Sequence, residues 1–277
     1  MSLFITSFNS GSNGNCYYIG NENDAVLIDA GISCRETERR MQRLKLSMEK
    51  VKAVFISHEH IDHISGVKTL SKKYQLPVYI TPATEMRGGL MLDKQLVNRF
   101  VADKPVMIGS LSIIPFQKFH DADDPHSFIV SSGSVNIGVF TDIGNACKQV
   151  VHYFKQCHAA FLEANYDEEM LMTGSYPAQL KKRIANGHGH LSNKEALDLF
   201  IKHRPAFMSH LILSHLSANN NKPEIVSKLF HPHASRTEII IASRHNETLV
   251  YQILDNGVSL KPVVRNTAKP RQLSLFG

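Results

Sequence analysis

Apolar and polar positions switch in short blocks along most of this chain. Two-residue alternation or short apolar runs occupy residues 4–8, 16–19, 25–29, 53–57, 78–81, 111–116, 128–131 and 135–140, and each predicts a strand. Helical periodicity occupies residues 35–46, 66–74, 145–156, 177–185 and 193–202. Ser192-Asn193-Lys194-Glu195 has capping-box spacing, so a helix should begin just after His190. We expect an α/β body over residues 1–262 and a tail over residues 263–277, with no internal repeat.

The densest chemistry follows one of these strands. His58-Glu59-His60-Ile61-Asp62-His63 places three imidazoles and a carboxylate within six residues. Such a cluster builds a poor core and a good metal site, and neutral imidazole with carboxylate suits Zn, Mn or Fe. His58 and His60 can share one side of an extended loop, while Asp62 and His63 fall at the next turn. That division suits two neighbouring ions.

The pattern HxHxDH after a strand resembles the metallo-β-lactamase superfamily, and the resemblance implies an αββα four-layer sandwich. It also implies further ligands at later strand ends, and His120, Asp142 and His215 stand there in the required order. In that scheme His58, His60 and His120 hold one divalent ion, Asp62, His63 and His215 hold the second, and Asp142 bridges. Asp29, in the family's first motif, orients the metal loop. Glu163 and His190 resemble the pair that tRNA 3′-processing members use near the leaving group. Asp62 would orient the attacking water.

The turn Ser10-Gly11-Ser12-Asn13-Gly14-Asn15 suits a hairpin and equally suits close backbone approach to a phosphate. Together with Gly189–Asn193 and the stretch His215-Leu216-Ser217-Ala218-Asn219-Asn220-Asn221, it resembles the WalJ/YycJ branch, which implies a 5′-to-3′ exonuclease on double-stranded DNA. Ser10, Ser12, Asn13, Asn15, Ser192, Asn219 and Asn220 become candidate substrate contacts. One departure is His126-Ser127, where the pattern leads us to expect glycine in the loop beside His120.

Composition changes this picture little. A 43% hydrophobic content is enough for a sizeable core, and no apolar run is long enough to span a bilayer. Four cysteines without CxxC spacing and the absence of a basic leader suggest a reduced, cytoplasmic protein. The net charge of +6 is concentrated at the end, where Lys261, Arg265, Lys269 and Arg271 follow the last acidic residue, Asp255. The balance permits a polyanionic substrate, and the resemblance to the WalJ/YycJ branch favours DNA over RNA.

Gln272-Leu273-Ser274-Leu275-Phe276 resembles the pentapeptide through which bacterial proteins bind the DNA-polymerase sliding clamp, with Gln272, Leu273, Leu275 and Phe276 as contacts. Such a protein would act in replication or repair. A lactamase is disfavoured because Asp142 stands where a thiol is usual. A β-CASP nuclease needs an insertion larger than the roughly seventy residues between Asp142 and His215. Three alternatives remain: an RNA-processing nuclease of the tRNase Z type, a small ester or thioester hydrolase, and a clamp- or DNA-binding adaptor with a vestigial site.

Overall fold

The computed structural model describes residues 2–257 and 262–263. The clamp-like pentapeptide therefore lies outside the described residues, as do all four basic residues that follow Asp255.

Strands β1 (Ser2–Asn9), β2 (Cys16–Gly20), β3 (Ala25–Ile28), β4 (Val51–Phe55), β5 (Val78–Tyr79) and β6 (Val97–Asn98) build one sheet. The second sheet contains β7 (Val106–Ile108), β8 (Leu111–Gln117), β9 (His126–Ser132), β10 (Val135–Phe140), β11 (Ala159–Glu163), β12 (His210–Ser214) and β13 (Glu238–Ile241). The chain then returns as β14 (Tyr251–Leu254), antiparallel to β1 at the edge of the first sheet.

Both faces of each sheet are apolar, which explains the near-continuous hydrophobic runs. Along β2 and β3, Tyr17, Ile19, Val26 and Ile28 point between the sheets, while Tyr18 and Leu27 point outward. A one-residue slip would exchange the two sets. From the facing sheet, Ile113, Phe128, Val130, Ile137 and Phe161 complete the inner core. Tyr17 and Phe161 meet across it at 4.9 Å, an aromatic pair that locks the sheets face to face.

Helices cover the outer faces. Met41 of α1 (Cys34–Arg43) joins the cluster outside the first sheet, as do Ile64 of α2 (Ile61–Ile64) and Val67 and Leu70 of α3 (Val67–Tyr74). Next in chain order come α4 (Pro82–Arg87), α5 (Lys148–Phe154), α6 (Glu168–Thr173), α7 (Ala178–Ile184), α8 (Asn193–His203) and α9 (Pro223–Phe230). Phe154, Phe200 and Phe230, from α5, α8 and α9, cover the second sheet. The layers are helix, sheet, sheet, helix, as expected.

Several bounds differ from expectation. The strand at 78–81 stops at Tyr79 because Thr81 caps α4, accepting from Thr84 N. The helix expected at 145–156 begins at Lys148, after Cys147 takes an extended conformation. His126 and Ser127 are not loop residues: they open β9, and His126 is buried with its N–H donating to Ser57 O at 2.9 Å. The departure from the pattern is thus accommodated in the core, with the His126 ring 5.1 Å from Phe100.

Candidate metal centre

Three of the strand-end residues leave their strands in left-handed conformation. Asp29, Asp142 and His215 have φ of 62°, 51° and 55°, a region that non-glycine residues occupy at a cost. Each turns the chain sharply at the same end of the sandwich, so side chains from β3, β4, β10 and β12 converge there. The HxHxDH segment is held against them by Gly31. A Cβ on Gly31 would lie 1.6 Å from Asp62 O, so only glycine lets the Asp62 backbone approach.

The seven proposed ligands do meet. His58 Nε2 lies 3.0 Å and His120 Nε2 3.3 Å from His60 Nδ1. On the other side, Asp62 Oδ2 lies 3.5 Å from both His63 Nε2 and His215 Nε2. Asp142 sits between the groups, with Oδ2 3.1 Å from His63 Nε2 and Oδ1 3.8 Å from His120 Nε2. An ion with tetrahedral ligands at roughly 2.0–2.1 Å places the donor atoms about 3.3 Å apart. The spacing therefore fits divalent metal.

The outer contacts decide which nitrogen each ring offers. Ser57 Oγ donates to Asp29 Oδ2 at 2.8 Å and so can only accept from His58 Nδ1, at 2.9 Å. His63 Nδ1 donates to Asp29 Oδ2 at 2.7 Å, His120 Nδ1 to Gly189 O at 2.8 Å, and His215 Nδ1 to Glu163 Oε1 at 3.0 Å. All four partners are acceptors, so in each of these rings it is Nε2 that faces the centre, His63 Nε2 also meeting Asn15 Nδ2 at 3.0 Å. Two buried atoms there, His215 Nε2 and Asp142 Oδ2, make no hydrogen bond of regular geometry among the described residues and face only other members of the cluster. Orphaned buried acceptors are rare and here mark where a cation fits.

Electrostatics divides the cluster. Burial pushes His120 down to about 3, and it pushes His58 well below, and His60 below, the ordinary imidazole value, so these rings stay neutral and available to metal. Burial acts the same way on His63 and His215, but carboxylates overcome it. Asp142, Asp29 and Asp62 raise His63 well above its usual range, while Asp142, Asp62 and Glu163 raise His215 to about 10. In the metal-free site these protons balance Asp142, whose carboxyl is held well below its usual range by His215 and His63 despite burial.

We expect metal removal to be felt in stability. Chelation should lower the melting temperature by roughly 10 °C, because a ligand at about 1,000 times its Kd contributes roughly 4 kcal/mol. Calorimetric scans with and without chelator, then with metal restored, measure this. An unchanged melting curve would mean that these residues hold no ion.

Glu163 and His190 are joined as expected. His190 Nδ1 lies 2.8 Å from Glu163 Oε1, the oxygen that also accepts from His215. Glu163 Oε2 accepts from Ile143 N and Leu191 N, so the fully buried carboxylate is held by four donors. Burial opposes its ionisation, yet His190 and His215 hold it down at about 2. His190 faces a cavity of about 260 Å³ that Asp62, Asp142 and His215 also line. His188 does not line this cavity: it lies edge-on to Phe119 at 5.4 Å and lines an adjoining space with His60 and His120.

The candidate substrate contacts separate. Ser12 lines the cavity, and exposed Asn13 is tied to Arg244 O at 2.7 Å. Exposed Asn219 donates to Tyr176 Oη at 2.8 Å. Ser10, Asn15, Ser192 and Asn220 are buried and brace the scaffold instead. Ser10 Oγ accepts from His215 N at 2.7 Å, and Asn15 Nδ2 donates to Asp62 Oδ2 at 3.1 Å. Ser192 caps α8 in the expected capping box. Asn220 O accepts from Asp167 N.

Several residues at the site carry no local signal in the sequence. Ser57, the Gly189 carbonyl and Asn165, which donates to His215 O at 2.8 Å, act only through partners brought together by folding. Lys118 is similar: its buried Nζ donates to Thr141 O at 2.6 Å, tying the end of β8 to the residue before Asp142. The sequence hint was a lysine immediately ahead of Phe119-His120, where an exposed loop charge is the ordinary expectation.

Comparison with known proteins agrees with this geometry. A family model described as "Beta-lactamase superfamily domain" matches residues 24–215. The chain is 31% identical to exodeoxyribonuclease YycJ of Bacillus anthracis over 230 residues, covering 81% of this chain and 86% of that protein. It is also 31% identical to exodeoxyribonuclease WalJ of Streptococcus pneumoniae over 221 residues, 78% of this chain and 82% of that one. Among solved structures, the metallo-beta-lactamase fold protein YhfI of Bacillus subtilis superposes with a TM-score of 0.70, covering 91% of this chain and all of the other, at 17% identity.

Proposed function

Because this chain belongs to the metallo-β-lactamase superfamily, in the branch of the YycJ and WalJ proteins, and is a metal-dependent hydrolase, we propose that it is an exodeoxyribonuclease that removes nucleotides from DNA ends. The observation that carries the reading is the His190–Glu163 pair beside the seven-residue cluster. A proton donor at that place suits an alkoxide leaving group such as the 3′-oxygen of a phosphodiester.

His58, His60 and His120 would hold one ion, Asp62, His63 and His215 a second, with Asp142 shared. When bound, zinc, manganese or iron at these ligands supplies Lewis acidity to water and to the phosphate. The protein residues do the rest. Asp62, fixed by Asn15, orients the attacking water. Glu163 holds His190 Nδ1–H, which leaves Nε2 to carry a proton toward the leaving oxygen. We assign the polarity as 5′-to-3′ and the substrate as double-stranded DNA, with a role in replication or repair.

The test is direct. Metal-reconstituted protein is incubated with end-labelled double-stranded DNA, single-stranded DNA and RNA, and products are resolved at single-nucleotide resolution. Mononucleotides released from the 5′ end of duplex DNA support the reading. RNA cleavage alone would replace it with a tRNase Z-like activity, and no cleavage would favour ester hydrolysis or an adaptor role. No helix among the described residues is long and apolar enough to cross a membrane.

For the tail, residues 263–277, we infer binding to the sliding clamp through Gln272, Leu273, Leu275 and Phe276, outside the hydrolase body at 1–262. Short motifs concentrate affinity in a few buried apolar anchors, and ordering them costs entropy. A micromolar Kd, about −8 kcal/mol, is expected for the isolated peptide. Calorimetry against a Leu275→Ala/Phe276→Ala peptide checks it, and equal heats would refute it. Deleting the six terminal residues should leave hydrolysis of short DNA unchanged.

A further inference from the structure

The cavity over the metal cluster has a second wall, built by the segment between β11 and α8. Tyr176, Leu180, Arg183 and Ile184 from this segment line the space together with the acidic and imidazole groups. The wall is braced at both ends. Arg183 is ion-paired with Asp121, next to His120, and Tyr176 Oη accepts from Asn219 Nδ2, four residues past His215. The two braces attach it to loops that carry metal-site residues, so its position relative to the reacting phosphate is defined.

The space directly over the cluster is about 260 Å³, just below the range of small-ligand sites, a size that suits a group as small as a single nucleotide. Its lining also has two characters. The carboxylates and imidazoles of Asp62, Asp142, His190 and His215 share it with the tyrosine and two aliphatic side chains, Leu180 and Ile184. A nucleotide has the same division between phosphate and base. Tyr176 is half-buried and its hydroxyl is already bonded, which leaves the ring as its contribution.

We propose that Tyr176 is the stacking platform for the terminal nucleobase, and that the enzyme therefore takes an end whose last nucleotide has left the duplex. The inference rests on the nuclease reading above. Opening one terminal pair costs a few kcal/mol, and stacking on an aromatic ring offsets part of it without selecting a base, because every base has a π-face. Terminal mismatches should accordingly be cleaved faster than matched ends, with little dependence on base identity.

The experiment uses the full chain, metal-loaded, on duplexes ending in a matched nucleotide, a mismatched nucleotide or an abasic nucleotide. Tyr176→Ala should reduce kcat/KM roughly 5- to 100-fold on the matched end, the range that loss of one stacked base implies. On the abasic end, wild type should fall by a similar factor relative to the mismatched end, which is equally unpaired, and Tyr176→Ala should lose nothing further there. Tyr176→Phe, which keeps the ring, should stay near wild type on all three. An equal loss for Tyr176→Ala on abasic and matched ends would overturn the proposal and leave Tyr176 as a brace for its segment. If wild type cleaves none of these substrates, the nuclease reading itself fails and takes the proposal with it.

Discussion

Replacing Asp142 with alanine is expected to remove metal and activity together, with turnover falling roughly 10³-fold or more. The carboxylate stands between the two ligand groups, within 4 Å of His63, His120 and His215. Its Oδ2 makes no hydrogen bond of regular geometry among the described residues, which suits an acceptor kept for a cation. Several kcal/mol of transition-state charge stabilisation depend on ions placed at such a site, and each 1.36 kcal/mol is a factor of ten. The same carboxylate is the first favourable charge acting on His63 and on His215, so its loss also leaves two buried imidazoles with weaker reason to hold protons. Metal content by elemental analysis, beside turnover and a melting curve, separates these effects. Wild type should carry two ions per chain. One ion in active wild type, or full activity in Asp142→Ala, would refute the dinuclear arrangement.

How much of this was legible beforehand depended on whether the signal was local. The HxHxDH cluster is six residues of contiguous chemistry. Strands β2 and β3 announce themselves as short apolar runs, because both their faces are buried. The strand β14 gave no such signal. It is four residues long with two partly exposed, and it is a strand only because β1, some 250 residues earlier, offers an edge. Likewise α6 and α9 are short and lean on tertiary contacts. In the site, residues proposed to donate through a side chain to metal were readable by type, whereas those that fix a neighbour were not. Asn15 and Ser10 looked like a phosphate-binding turn, since small polar residues serve both uses. Burial assigns them instead to bracing Asp62 and His215. Gly189 acts by its carbonyl, which every residue possesses, so no sequence pattern could have pointed to it.

Changing His190 to alanine should have the opposite signature from Asp142→Ala: both ions stay and only turnover falls, by roughly 10²–10⁴-fold. His190 is not among the rings that offer a bare nitrogen to the two ligand groups. Its Nδ1 is committed to Glu163, and the ring lies 5.2 Å from His120 and 5.3 Å from His215. Glu163 remains a carboxylate, with its carboxyl held at about 2, so it can stabilise an imidazolium while the proton moves to the leaving oxygen. That role makes a demand on the substrate. A nitrophenyl phosphodiester has a leaving group that needs no proton, and the penalty for His190→Ala should shrink there toward unity. Glu163→Gln is the informative companion, because Glu163 Oε1 also fixes His215, so this variant should lose metal as well as turnover. His188→Ala, altering a ring that faces Phe119 outside the cavity, should change little. An equal loss on both substrates in His190→Ala would mean that the ring positions the substrate or the 186–190 loop, whose Gly189 carbonyl orients His120, and that the proton comes from elsewhere.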